Sequence, residues 1–270
     1  MAAKVVQIRI FPLKSCDGFA QEKARVLPSS ALQYDRQFAL IDSSGSLINA
    51  KIHPRIHQLN LQVDPIHRRF LVAERDGRRE IQGSLDDDGR ILSDWLSDFF
   101  SLDVSIIENS ATGFPDDLDA AGPTIVSTAT LQTVADWFEG LSLDEVRRRF
   151  RANIEVGGVE PFWEDRLVHA GPNLQRFRIG KITFIGVNPC PRCVVPTRDS
   201  QTGKVHPPLF SQQFAKNREA TLPDWADRSL FPHYYRLSTN TRLLEPRTVD
   251  PEAAEIQIGD LVEVLDSTSI

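Results

Sequence analysis

The chain has 270 residues, enough for one or two domains with a substantial buried core. Apolar types make up 41% and charged types 25%, which excludes collagen-like, coiled-coil and low-complexity proteins. Lys and Arg number 31 against 37 Asp and Glu, and this net charge of -6 argues against a nucleic-acid backbone or an anionic membrane as the main partner.

No stretch approaches the ~18 consecutive apolar residues of a membrane span, and Gln7 and Arg9 interrupt the apolar pattern of the N-terminus. The sequence therefore predicts neither an anchor nor a secretory signal. Only three cysteines are present, an odd and small number that does not fit a disulfide framework. We expect a cytoplasmic protein whose thiols are candidates for chemistry.

Short strands are predicted through the first part of the chain. They cover residues 6–10, 38–42, 59–63 and 70–73 and the region of Ile81, with a hairpin turn at Asp76-Gly77. Strands so closely spaced predict a small barrel or sandwich. Apolar residues between 91 and 100 fall on one face of a helix. The polar segment 109–123 lacks periodicity, so we predict two domains, 1–120 and 121–270.

Two helices are predicted to open the second domain. The first is predicted to bury Leu131, Val134, Trp137 and Phe138 and to stop at Gly140. The second begins at Ser142, where Ser142 and Glu145 fit a capping box. Further strands are expected over 153–156, 177–179, 182–187 and 256–264. His53 and His57 stand four residues apart, but Pro54 argues against a helix through them.

The sharpest motif is Cys190-Pro191-Arg192-Cys193, which we expect in a loop after the strand 182–187. A zinc site needs a second pair of ligands, and Cys16 is the only other cysteine. A redox dithiol should open a helix, which Pro191 and Pro196 hinder. The pair also fits two small buried residues near a turn, or one thiolate on a soft metal with Arg192 favouring the anion. The motif alone leaves these alternatives open.

Five motifs in order give the chain a resemblance to a known family. They are Phe11-Pro12-Leu13-Lys14-Ser15-Cys16, Tyr34-Asp35-Arg36-Gln37-Phe38, Pro54-Arg55-Ile56, Phe150-Arg151-Ala152-Asn153 and Pro189-Cys190-Pro191-Arg192-Cys193. The chain resembles MOSC-domain proteins with an N-terminal MOSC β-barrel domain, over residues 6 to about 265. Within that family it is similar to the mitochondrial amidoxime-reducing component and to bacterial reductases of N-hydroxylated compounds.

The resemblance implies an α+β, mainly β fold, with an N-terminal barrel-like domain packed on a MOSC β-barrel and flanking helices. It also implies a molybdenum cofactor of the molybdopterin type between the two domains. Cys193 matches the position of the metal thiolate, with Arg192 beside it as the second catalytic candidate. The positions that match cofactor contacts are Lys14, Ser15, Arg36, Ser127, Thr128, Arg151 and Asn153. Family descriptions also mention pyridoxal phosphate, but no lysine context identifies a Schiff-base site.

The implied function is reduction of N-hydroxylated small molecules. Three cysteines are too few for an iron–sulfur cluster, which needs about four, so we expect electrons from a separate ferredoxin- or cytochrome-type donor protein and its reductase. The chain departs from relatives at Pro191, Ala152 and Lys51, where they commonly have serine, proline and arginine. Two rivals stay open: a cofactor or sulfur carrier like the C-terminal part of molybdenum cofactor sulfurases, and an interaction protein on the same scaffold.

Overall fold

The computed structural model describes residues 2–171, 173–205, 209–245 and 254–269. Within these ranges the fold is α+β and mainly β, as predicted. No helix in the described part of the chain is long and apolar enough to cross a membrane.

The described strands are β1 (Lys4–Ile10), β2 (Phe19–Gln21), β3 (Lys23–Arg25), β4 (Phe38–Asp42), β5 (Leu47–Ile48), β6 (Leu59–Asp64), β7 (Arg69–Glu74), β8 (Glu80–Ser84), β9 (Val104–Glu108), β10 (Ile125–Ser127), β11 (Ile154–Gly157), β12 (Asn173–Leu174), β13 (Arg176–Ile179), β14 (Ile182–Pro191), β15 (Arg236–Leu243), β16 (Glu255–Gln257), β17 (Val262–Val264) and β18 (Thr268–Ser269). The described α-helices are α1 (Gly89–Phe100), α2 (Thr128–Asp136), α3 (Leu143–Phe150) and α4 (Phe210–Ala220).

Eight strands form a barrel in the order β17-β13-β14-β15-β10-β11-β1-β2. Neighbours are antiparallel except β10 and β11. The sheet closes because the start of β1 bonds the chain around β17: Val5 N donates to Asp260 O and Val262 N donates to Ala3 O, both at 2.9 Å. Closure leaves fewer unpaired edges. Buried side chains that fill the core include Ile8, Phe177, Phe184 and Leu243.

The second body, which we call the N-terminal lobe, consists of the sheets β5-β4-β9 and β6-β7-β8 with helix α1. The predicted hairpin turn between β7 and β8 is present, since Gly77 has φ +78° and its N–H donates to Glu74 O at 2.9 Å. Helix α1 buries Leu92, Leu96 and Phe99 against this lobe, as its periodicity predicts. Val195, which follows the Cys190–Cys193 motif, packs on the same cluster.

Helix α3 has one of the two hydrogen bonds of the predicted capping box. The Oγ of Ser142 accepts a hydrogen bond from Glu145 N at 3.2 Å, but the Glu145 carboxylate does not serve the cap. It accepts instead from Arg149 Nε at 2.6 Å and from Ser200 N at 2.8 Å. A charged donor and a loop amide are stronger partners than the cap amide. This exchange ties α3 to the loop that follows the cysteine motif.

Two predictions near the candidate motifs are wrong. The strand predicted to end at residue 187 continues to Pro191, so Cys190 lies in β14 and not in a loop. The ladder with β15 tolerates its two prolines because the register shifts between Pro189 and Pro191. A 3₁₀-helix, Pro54–Gln58, also covers His57. Proline fits there because it is the first helical residue.

Candidate functional site

A cavity of about 1250 Å³ lies between the N-terminal lobe and the barrel. It exceeds the usual size of a pocket for a small ligand. The structure brings together here six of the residues predicted from the sequence: Lys14, Ser15, Arg36, Arg151, Arg192 and Cys193. A cleft therefore lies between the two bodies, and the assignment of its residues to a cofactor stays a prediction.

Lys14 and Ser15 enter the cleft just after β1. The backbone of Lys14 bonds Phe38 O at 2.9 Å, which fixes the chain against β4. The buried Lys14 Nζ donates to Phe114 O at 2.9 Å and to Asp116 Oδ1 at 2.8 Å. Burial lowers the pKa of Lys14, while Asp116 opposes that shift. Ser15 has φ +68°, and its Oγ accepts from Ala50 N at 3.1 Å.

Arg36 lies beside Lys14 and adds a second cation. Its backbone N–H donates to Phe11 O at 2.8 Å, and its guanidinium is paired with Asp35. Asp35 also accepts from Phe11 N at 2.9 Å, so the turn is held from both sides. Burial opposes the charge on Arg36, but Asp35 and Asp116 outweigh it and raise the pKa of Arg36.

Arg151 reaches the cleft from the C-terminal cap of α3. It has φ +53°, and its guanidinium carbon lies 4.1 Å from the centre of the Phe11 ring. One terminal nitrogen donates to Cys16 O, whereas the buried Nη2 has no hydrogen-bond partner among the described residues. Burial, followed by the charge of Arg36, lowers the pKa of Arg151 to about 10. An anion in the cavity would satisfy this buried donor.

The two motif cysteines have different surroundings. Both are free thiols lining the cavity. The Cys190 Sγ donates to Pro191 O at 3.7 Å, while the Cys193 Sγ accepts from Val195 N at 3.5 Å. The Cys193 sulfur thus accepts a hydrogen bond from a backbone N–H, whereas the Cys190 thiol acts as a donor.

Arg192 lines the cavity but directs its donors to the protein. Its guanidinium donates to Phe150 O at 3.0 Å, to Leu237 O at 2.6 to 3.0 Å and to Ser238 Oγ. These bonds join the end of β14 to α3 and β15. They favour a role in holding the cysteine loop, and the predicted catalytic role of Arg192 stays a prediction.

The other predicted contacts lie outside the cavity lining. Ser127 is fully buried and caps α2, where its Oγ accepts from Thr130 N at 3.0 Å. Thr128 Oγ1 donates to Glu155 at 2.7 Å. Asn153 Nδ2 donates to Arg9 O at 3.1 Å. The structure does not bring Ser127, Thr128 and Asn153 to the cleft, and their bonds join neighbouring elements of the barrel.

Several lining residues were not predicted as site residues. Cys16 lies under Arg151, and burial followed by the nearby Asp17 charge raises the pKa of Cys16 to about 12. Lys51 Nζ lies 3.7 Å from Asp116 Oδ1. Asp116 comes from the polar segment that the sequence assigned to a domain boundary. Its contact with Lys14 is visible only in the fold, because the two residues are 102 positions apart in the chain.

The arrangement combines a cation cluster, Lys14, Arg36, Lys51 and Arg151, with the Cys193 thiol in the same cavity. Asp35 and Asp116 neutralise only part of the positive charge. Arginine and lysine in such a cluster suit a phosphate. No group of three or more His, Cys, Asp or Glu that could hold a metal ion occurs within the described residues. The described residues of the cavity therefore offer the thiols of Cys16, Cys190 and Cys193 but not the grouped ligands of a zinc site.

Comparison with known proteins identifies both halves of the chain. The family profile described as MOSC N-terminal beta barrel domain matches residues 2–139, and the profile described as MOSC domain matches residues 124–263. Each covers about half of the chain.

Curated relatives are similar over most of this chain. A molybdenum cofactor sulfurase of Homo sapiens is 24% identical across 81% of the chain, and the sulfurase of Bos taurus is 25% identical across 80%. That of Drosophila mojavensis is 29% identical across 76%. The chain spans only 29% of the length of each of these relatives.

Proposed function

This chain belongs to the MOSC-domain family, and from that premise we propose that its cleft binds a molybdenum cofactor of the molybdopterin type. We further propose that it uses this cofactor to reduce N-hydroxylated small molecules. The observation that supports the proposal most directly is that a single cavity joins the cation cluster to the Cys193 thiol. These are the two features that a phosphate-bearing pterin with a thiolate-ligated metal needs.

The residues of the cleft fit such a group. Lys14, Ser15 and Arg36 would hold its phosphate from one side, and Arg151 from the other. The unpartnered Arg151 Nη2 offers a buried donor that an anionic oxygen would satisfy. Cys193 would supply the protein thiolate, and Val195 N would stabilise the charge on sulfur. Ser127, Thr128 and Asn153 would act by holding the surrounding elements.

When bound, the cofactor supplies a two-electron couple that can take up the oxygen of an N-hydroxy group. The balanced reaction consumes two electrons and two protons and releases the amine and water. The protein binds and orients the reactants in a partly enclosed cleft. Arg192 fixes the loop that carries Cys193 through its bonds to Phe150 O and Leu237 O.

Electrons must reach the cleft from outside in this proposal. The chain has three cysteines, and Cys193 is assigned to the metal, so too few remain for a cluster of about four. We propose a ferredoxin- or cytochrome-type donor protein with its own reductase. The substrate is a small molecule that carries an N-hydroxy group.

The relatives favour a second candidate, a cofactor or sulfur carrier. They are molybdenum cofactor sulfurases, and the chain matches under a third of their length. A module that carries the cofactor needs the same phosphate and thiolate contacts. It differs from a reductase in releasing the cofactor to an acceptor and in lacking turnover.

A single assay separates the two candidates. Purified, molybdenum-loaded chain is mixed with an N-hydroxylated compound and either a reduced viologen or NADH. We expect amine formation with the viologen, none with NADH alone, and none with cofactor-free chain. A silent viologen assay, together with transfer of molybdenum to an acceptor protein, would support the carrier. Turnover with NADH and no added donor would contradict the need for a separate partner.

A further inference from the structure

The segment that leads from the N-terminal lobe to the barrel crosses the cleft as a strap, which we define as residues 113–122. Its first end is fixed by Phe114 N, which donates to Arg36 O at 2.8 Å. Its second end is fixed by Gly122 N, which donates to Thr241 O at 2.8 Å. A Cβ at Gly122 would lie only 2.6 Å from Thr241 O, so this end has no room for a side chain. Both ends are thus anchored to backbone.

Between its ends the strap makes a charged contact with the cleft, and further along Ala120 is buried. Asp116 accepts from Lys14 Nζ at 2.8 Å and lies 3.7 Å from Lys51 Nζ. The Lys14 side chain is only 8% exposed, whereas that of Asp116 is 60% exposed. Leu118, further along, is 83% exposed and contributes little burial. The contact therefore joins an embedded cation to a carboxylate that can leave for water.

We propose that Asp116 is a removable counter-ion that occupies Lys14 until an anion enters, so that anion binding releases the strap. The cation cluster uses Asp116 as an internal stand-in for the ligand's negative charge. Before a phosphate enters, Lys14 Nζ already donates one hydrogen bond to Phe114 O and one to Asp116. A phosphate bound to Lys14 would lie close to the Asp116 carboxylate. Repulsion between the two anions would favour replacement of the carboxylate by the phosphate.

The charges around Asp116 agree with this role. Partial desolvation opposes its ionisation, but the charges of Lys14, Arg36 and Lys51 outweigh it and hold the pKa of Asp116 well below the usual range. The carboxylate is therefore ionised at any ordinary pH. Its exchange for phosphate then depends on competition between two anions and not on a protonation step.

This inference deepens the proposed function, because it concerns the same phosphate subsite, but it requires only that the subsite binds an anion. Inorganic phosphate tests it without molybdenum. The full chain is titrated calorimetrically with phosphate at low ionic strength, as are the Asp116→Asn and Asp119→Asn variants. Asp119 is an exposed strap residue outside the described ion pairs of the cleft, so its variant removes the same charge as a matched control.

We expect Asp116→Asn to bind phosphate about tenfold more tightly than the unaltered chain, because one close carboxylate is lost. Asp119→Asn should stay within about twofold, since exposed charges are screened. Equal affinity of Asp116→Asn and the unaltered chain overturns the inference. An Asp119→Asn effect as large as that of Asp116→Asn, or no phosphate binding by any of the three proteins, overturns it as well.

Hydrogen exchange of residues 113–122 provides the second readout. Phosphate should increase exchange in the unaltered chain, because the strap loses its central contact. Asp116→Asn should show the faster exchange before phosphate is added. Slower exchange of the strap with phosphate would mean that it closes on the ligand, which contradicts the inference. The chain could show the expected phosphate affinities and the expected hydrogen exchange and still never take up molybdenum. That result would retain this inference and reject the proposed function.

Discussion

Three residues that line the cleft have a backbone conformation that is uncommon outside glycine. Ser15, Arg36 and Arg151 have φ of +68°, +51° and +53°. Such left-handed positions cost about 1–3 kcal/mol each and persist where the surrounding structure determines them. Here the turns bring side chains from three separate chain segments into one cavity. These are three of the ten described non-glycine residues with positive φ, and the other seven lie outside the cavity lining.

The two cysteines of the motif should respond differently to substitution. Cys193→Ala removes the sulfur that accepts from Val195 N, so we expect loss of reductase activity and a weakened or reorganised metal centre. Cys190→Ala should keep most molybdenum and measurable activity, because its thiol bonds only a neighbouring carbonyl in the structure. The measurements are metal content and viologen-driven turnover of both purified variants.

Unfolding curves provide the control for this pair. Loss of one sulfur near a strand end should cost no more than ~1–3 kcal/mol, so both variants should stay folded. Equal loss of activity with full molybdenum in both would favour a dithiol mechanism and contradict the assignment of Cys193.

The sequence identified part of the site for a physical reason. Lys14, Arg36, Arg151 and Cys193 belong to motifs whose local turns and strand ends aim them into the cleft. Asp116 has no such motif, because its role comes from a contact with a residue 102 positions away. Ser127 and Asn153 stand at positions that match cofactor contacts in the family. In the structure their side chains are hydrogen-bonded to neighbouring elements of the barrel. Local patterns do not encode such competing partners.

The strand β15 shows the same limit at the level of elements. No apolar alternation marks it, since it contains Ser238, Thr239, Asn240 and Thr241, all buried. Thr239 Oγ1 donates to Glu164 O at 2.7 Å, and Thr241 Oγ1 donates to Pro123 O at 2.6 Å. Tertiary partners make these polar residues acceptable in a central strand. The strands with clear alternation, such as β6, were predicted correctly.

The 3₁₀-helix Trp163–Leu167 carries a buried acid that should make stability depend on pH. Burial, followed by the charge of Asp165, raises the pKa of Glu164 to about 7. The native state then holds a proton that the unfolded chain releases at lower pH. The free energy of unfolding attributable to Glu164 therefore falls as the pH rises from about 4.5 to about 7.

Glu164→Gln removes this titration while keeping an oxygen that can accept from Ser127 N and Thr130 Oγ1. We expect the stability of the variant relative to the unaltered chain to improve on the order of 1–3 kcal/mol between pH 5 and pH 8. Glu160→Gln, at an exposed position nearby, is the control and should show no such trend. Denaturant unfolding at several pH values provides the comparison. Parallel curves for Glu164→Gln and the unaltered chain would rule out the predicted titration.

At the scale of the whole molecule, the cleft lies where the N-terminal lobe contacts the barrel. Arg198 donates to Ala50 O, and Gln58 Nε2 donates to Thr202 O at 3.5 Å, so the loop after Cys193 crosses from barrel to lobe. The strap passes from lobe to barrel near Lys14. A ligand that bridges the cations and Cys193 would join both bodies and stabilise the folded state by mass action. The domain boundary near residue 120 remains a prediction.

Metal content of the full chain, produced with ample molybdate, tests the central claim most directly. The account predicts about one molybdenum per folded chain and no stoichiometric zinc, because the cleft offers a cation cluster suited to a phosphate and the described residues form no grouped zinc ligands. Folded protein that is fully occupied by zinc and free of molybdenum would contradict it.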